Sequence, residues 1–172
     1  NGTIQIQVPN SAATPNDYQL LSGTQSITGG TLQFGNTSTP ALSVFNLRAA
    51  ASAINTPALT VDNTTNVKEL VIGGGASAGS IVVNGTLTVA TGSTLTHNNT
   101  AVHVIRLRGD LTNNGTIRLG GSGSINNILL LDGASAQTYS GTGALGSGTV
   151  AYPAVTISNA AGVTFNQAGA NG

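Results

Sequence analysis

The sequence contains no cysteine, no methionine and no tryptophan, and only 6% of its 172 residues are charged. The missing cysteines exclude disulfides and thiolate metal centres, although they assign no compartment by themselves. Five basic residues balance five acids, so the chain cannot neutralise a run of phosphates. Aromatic residues make up 3% and offer no row of stacking platforms for single strands, so nucleic acid is not an expected partner. No apolar run approaches the roughly eighteen residues of a spanning helix. The longest compact one, ILLLDG at 128–133, ends at Asp132. The sequence opens on NGTIQIQV, which is not a basic and apolar leader. Any export signal is therefore expected to have been removed or to lie outside this chain.

What remains is a chain that is 39% apolar and made soluble by Thr, Asn, Ser and Gly. Disordered chains combine low hydrophobicity with high charge, whereas Val, Ile, Leu and Thr favour strands. Short strand-like runs follow one another: TLQF, LSVFNL, ALTV, KELVI, SIVV, TLTV, HVIRLRGDL, TIRL, ILLL, TVAY, AVTI and VTF. Their apolar residues recur with period two, and helical spacing is rare. The exception is NLRAAASAI at 46–54, whose alanines and Arg48 would tolerate a helical turn. Pro40, Pro57 and Pro153 punctuate strand starts, and glycine clusters at 73–75, 120–123 and 141–148 mark turns. No linker divides the chain, so residues 1–172 are expected to form a single block, either a whole subunit or one segment of a longer array.

The uncharged stretch VNGTLTVATGSTLTH at 83–97 shares its opening with NGTIRL at 114–119 and with NGTIQI at the first residue. Laying Ile81 over Leu111 places Asn84, Gly85 and Thr86 on Asn114, Gly115 and Thr116. The same alignment places Leu87 on Ile117, Val89 on Leu119 and Leu95 on Ile125. A sandwich would need two- to five-residue hairpins and charges on its edge strands, and such charges are almost missing. A parallel β-helix instead stacks each coil about 4.8 Å above the last and favours identical polar residues stacked at its corners. The expected fold is thus all-β, a single-stranded right-handed parallel β-helix (β-solenoid) of about six to eight coils of roughly 20 to 30 residues. Leu87, Val89, Leu95, Ile117, Leu119 and Ile125 are expected to face inward, and Asn84 over Asn114 would form an amide ladder at a corner.

Sites with familiar spacing fail on context. GASAG at 75–79 matches the G-x-S-x-G elbow around Ser77, but a strand-like run follows it and no acid intervenes before His103 in the required chain order. GTGALG at 141–146 fits G-x-G-x-x-G, yet no acid follows Asp132, which leaves a turn. His97 and His103 lack the compact carboxylate or histidine company of a metal site. LGGSGSINN at 119–127 has Ser124 where a calcium-binding nonapeptide carries Asp. No metal and no cofactor is expected. The acids Asp17, Asp62, Glu69, Asp110 and Asp132 are scattered, so polysaccharide cleavage would require stacking to bring Asp110 and Asp132 together.

The segments VNGTLTVATGSTLT, GDLTNNGTIRL, LDGASAQTYSGTG and YPAVTISNAAGVTF resemble the β-helical repeat regions of secreted surface and adhesin-like proteins of Bacteroidetes-type bacteria. Gly109–Ile117, Gly133–Gly141 and Val155–Phe165 take the places of that family's repeated motifs, with Tyr139 and Phe165 departing from its aliphatic residues. The resemblance covers about the last ninety residues and carries no catalytic residue. It implies a nonenzymatic protein exported to the extracellular bacterial cell surface, often by the type IX route. On this reading the chain is a rigid block of an adhesin, stalk or filament, with a glycan or cell-surface receptor as a possible partner. Its two ends carry no charged cap, since Asp17 is the first charge and Asp132 the last. Stacking end to end with copies of itself or with adjoining coils of a longer chain is expected. The rival expectation is a glycan- or ice-binding module whose face is made by Thr86, Thr88, Thr94 and Thr96, opposed by Arg118 at the position aligned with Thr88.

Overall fold

The computed structural model describes residues 2–11, 17–20, 27, 29–49, 54–62, 68–73, 80–97, 104–119, 127–146 and 154–168. Among these residues there is no helix, and every ladder is parallel. The chain is a β-solenoid with three walls, visited in turn by successive strands.

The first wall has seven strands: β1 (Thr3–Ile6), β3 (Thr31–Phe34), β6 (Ala58–Val61), β9 (Leu87–Val89), β12 (Leu111–Asn113), β15 (Gln137–Gly141) and β18 (Val163–Gln167). The second has six: β2 (Tyr18–Leu20), β4 (Val44–Ala49), β7 (Lys68–Ile72), β10 (Ser93–His97), β13 (Thr116–Arg118) and β16 (Ala144–Leu145). The third has five: β5 (Ile54–Thr56), β8 (Ile81–Val83), β11 (Val104–Leu107), β14 (Ile128–Leu131) and β17 (Ala154–Ile157).

Period-two sequence becomes structure here because each wall has one inner and one outer face. Leu32, Leu59, Leu87, Leu111 and Tyr139 stack as one inner column of the first wall. Phe45, Leu70, Leu95 and Ile117 do so on the second, and Ile81, Ile105 and Leu129 on the third. All are buried, none more than 1% exposed. Burying each such side chain contributes about 1.5–3 kcal/mol. Phe34 and Phe45 meet edge to face in this interior, with ring centroids 5.7 Å apart.

Leu87, Val89, Leu95, Ile117 and Leu119 all point inward as the alternation predicts; Ile125 lies outside the described residues. The helical turn that 46–54 would tolerate is not formed where the structure is described. Asn46–Ala49 belong to β4, paired with β2 on one side and β7 on the other. Two ladders of backbone hydrogen bonds outweigh the alanines' local preference.

The alignment of the two Asn-Gly-Thr copies also needs correction. Leu87 stacks on Leu111, and Leu95 stacks on Ile117. Asn84-Gly85 leads into the first wall, whereas Asn114-Gly115 leads into the second. The motif marks a corner, and two different corners carry it. Both need glycine for lack of room. A Cβ on Gly85 would lie 3.0 Å from Ala58 in the coil before it, and one on Gly115 would lie 2.3 Å from the Ser93 carbonyl. Asn84 therefore ladders with Asn55 rather than Asn114, donating to its Oδ1 at 3.3 Å. Asn114 instead accepts from the Thr142 backbone at 3.2 Å.

Candidate functional site

Outward-facing side chains distinguish the three walls. On the second wall, Thr94 lies between Glu69 and Thr116, and Thr96 lies between Val71 and Arg118. The Arg118 guanidinium reaches across two rungs to Glu69 at 3.1 Å. Thr96 is buried, so this wall is an ion-paired surface in which the threonines are minor. On the third wall Arg106 pairs with Asp132, its Nε donating to Oδ2 at 2.9 Å. Val82 and Leu130 occupy the outer positions on either side of Arg106. Arg108 lies at the following corner and donates to Asn84 Oδ1 at 3.0 Å.

The first wall is different. Its outer column Gln5, Gln33, Thr60, Thr88, Thr112, Ser140, Asn166 runs through every rung in register. The column two residues upstream contains Thr3, Thr31 and Ala58 in register, and Thr86, Asp110 and Thr138 hold the equivalent places before Leu87, Leu111 and Tyr139. Asp110 is the only charged group in these two columns, and its Oδ1 accepts from the Thr138 backbone at 2.8 Å. Thr112 and Ser140 hydroxyls are 3.5 Å apart. Among the described residues no aromatic side chain stands on this outer face.

The four threonines predicted as one ligand face are therefore divided: Thr86 and Thr88 on the first wall, Thr94 and Thr96 on the second. Thr60, Thr112 and Ser140, which extend the first pair, escaped the sequence reading. Their signal was the triplet ALT, TLT, DLT, TYS and TFN at 58, 86, 110, 138 and 164, an inward apolar residue followed each time by a short polar one.

Among the described residues, those suspected of catalysis are not assembled. Asp132 is bound by Arg106 on the third wall, and Asp110 stands on the first with a backbone donor of its own. His97 is buried in β10, while Ser77, His103 and Ser124 lie outside the described residues. Within GTGALG the chain forms the end of β15 and the short β16, with no helix to cradle a phosphate. Among the described residues no group of three potential metal-ligating His, Cys, Asp or Glu side chains comes together, and no helix is long and apolar enough to cross a membrane. A shallow depression of about 350 Å³ at the corner of the third and first walls is lined by Ile27, Gly29, Gly30, Pro57, Ala58, Asn84 and Gly85. It holds no ionisable side chain.

Buried polar groups serve the interior. Lys68 is fully enclosed and donates from Nζ to the Asn36 carbonyl at 2.6 Å. Gln137 takes an inward position and bonds the Leu107 carbonyl at 3.0 Å and the Gly133 amide at 2.9 Å. Asn159 donates to the Gln137 carbonyl oxygen at 2.8 Å. Burial pushes the Tyr139 phenol pKa upward, with the Asn113 side chain pulling the other way. Gln167 donates to the same phenol at 2.8 Å.

The chain matches no family model, no curated protein and no solved structure.

Proposed function

We propose that this chain is a nonenzymatic structural block of an extracellular adhesin, stalk or surface filament displayed on a bacterial cell. The observation that carries the reading is the unbroken seven-strand ladder of the first wall, over an interior filled mainly by apolar side chains. Such a stack resists bending because every rung is hydrogen-bonded to its neighbours along the whole length. Surface carboxylates held by arginines or backbone amides, rather than paired with one another, favour a structural role over hydrolysis.

The end faces support stacking as the means of extension. The outermost rung at one end exposes Ile4 (54%), and at the other Val155 (37%), Ile157 (51%) and Phe165 (51%). Among the described residues these are inner-column positions with no covering coil, beside strand edges that pair on one side only. Another copy of this chain, or adjoining coils of a longer one, would bury both. A glycan or cell-surface receptor is the expected partner of the assembled rod.

Electron microscopy of purified protein across a concentration series tests this reading, combined with turnover assays on a polysaccharide panel. Rods that lengthen with concentration and no turnover are expected. Compact monomers at all concentrations, or turnover abolished by Asp110→Asn or Asp132→Asn, would overturn it.

A further inference from the structure

The geometry points to the outer face of the first wall as an ice-binding surface, centred on Thr60, Thr88, Thr112 and Ser140 with Thr86 and Thr138 beside them. The inference rests on the fold alone and stands whether or not the chain is part of an adhesin. The objection raised by the sequence was that Arg118 falls at the position of Thr88. In the structure Arg118 belongs to the second wall beside Thr96, and the true neighbours of Thr88 are Thr60 and Thr112.

Thr60, Thr88 and Thr112 stand on consecutive strands, about 4.7–4.9 Å apart, and the parallel column lies two residues away, roughly 6.6 Å along the strand; only at the Thr112–Ser140 step do the hydroxyls draw closer, to 3.5 Å. Both repeats are comparable with the oxygen repeats of the prism face of ice. A β-branched threonine is stiff at χ1, and Thr60, Thr86, Thr88, Thr112 and Thr138 are each half-buried against their neighbours. The array is thus ordered before any ligand arrives, which reduces the entropy cost of binding.

Charge and shape select the occupant. The columns carry one charge, Asp110, so neither an acidic nor a basic polymer is complemented. A soluble glycan would be expected in a concave site that buries most of its surface, whereas this face is a continuous parallel ladder with no aromatic platform among the described residues. A planar, uncharged, periodic lattice of hydrogen-bonding groups fits it, and ice is such a lattice.

The test is incorporation of the fluorescently labelled 172-residue chain into a slowly growing ice hemisphere. Two first-wall variants, Thr88→Lys with Thr112→Lys and, separately, Thr60→Lys, are compared with the second-wall control Thr94→Lys. Circular dichroism and thermal melting select folded samples, and variants on two different rungs keep one misfolded protein from deciding the result. Incorporation of the unaltered chain and of the control, with both first-wall variants reduced to the level of a non-binding globular protein, is expected. Exclusion of the unaltered chain from ice, or equal incorporation of all variants, would overturn the assignment. So would adsorption to crystalline cellulose or chitin that the first-wall variants lose while ice incorporation is absent, since it would give the face to a polysaccharide instead.

Discussion

The middle rungs and the last rungs of the solenoid are filled by different chemistry. In the middle rungs the inner columns are mainly aliphatic, with Leu59, Leu87 and Leu111 on the first wall and Leu70, Leu95 and Ile117 on the second, and Lys68, Ser93 and His97 as buried polar exceptions on β7 and β10. From β12 onward amides and a phenol enter the same positions, with Asn113, Gln137 and Tyr139 buried and Asn159 closing the network. Aliphatic columns reward any compact stacking, because the hydrophobic effect has no direction. Buried amides accept only the arrangement that satisfies their hydrogen bonds. The middle of the rod therefore supplies stability, and its last rungs fix how the coils sit on one another.

The strongest way to break this contrast is to remove a middle column residue. Leu87→Ala should cost about 2–5 kcal/mol in a denaturant titration, because Leu59 and Leu111 cannot close the cavity from fixed rungs. Phe165→Ala, at the half-exposed end of the same column, should cost much less, and equal losses would contradict the division between middle and end.

Gln137→Ala should cost about 1–3 kcal/mol, leaving the buried Gly133 amide without its partner, while the Leu107 carbonyl keeps the Asp132 amide at 3.1 Å. Amide hydrogen exchange should quicken at Gly133 first.

A smaller effect separates the phenol from its surroundings. Tyr139 has its pKa raised above the ordinary value of about 10 by burial. The unfolded chain then releases this proton first as the solution becomes alkaline. Its contribution to stability is complete below about pH 10 and is lost as pH rises through the folded-state value. Tyr139→Phe should flatten this part of the alkaline stability profile; an unchanged profile would show that the phenol does not titrate differently on unfolding.

Least of all should follow from Arg118→Ala. Its pair with Glu69 is 36% and 27% exposed, so a loss below about 1 kcal/mol, shrinking with added salt, is expected.

The contrast between regions also explains which features were legible in the sequence. TLQF, ALTV, KELVI and ILLL became strands with the same bounds, because a half-buried wall imposes period two directly on the chain. HVIRLRGDL read as a single strand-like run but contains β11, a corner and β12, since a corner formed by Arg108, Gly109 and Asp110 does not interrupt the apolar spacing. Gln137 and Asn113 were not recognisable as interior residues, because an inward amide has no period-two signature. The order of the walls was lost for a related reason. Glycine is required where a corner passes close to the coil before it, at Gly85, Gly109 and Gly115 alike, and nothing in Asn84-Gly85 or Asn114-Gly115 says which wall comes next. The ligand face was misdrawn as a result, two of its threonines belonging to another wall.

That register is the account's central claim, and the absence of native cysteine allows a direct test. A chain carrying Thr88→Cys and Thr112→Cys is compared, under mild oxidation, with one carrying Thr88→Cys and Arg118→Cys. Outer residues paired on adjacent parallel strands lie about one strand spacing apart, within the Cα range a disulfide spans. Rapid intramolecular cross-linking of the first chain and none of the second is predicted. Cross-linking of Thr88→Cys to Arg118→Cys, with the Thr112→Cys chain left reduced, would contradict the three-walled stacking itself.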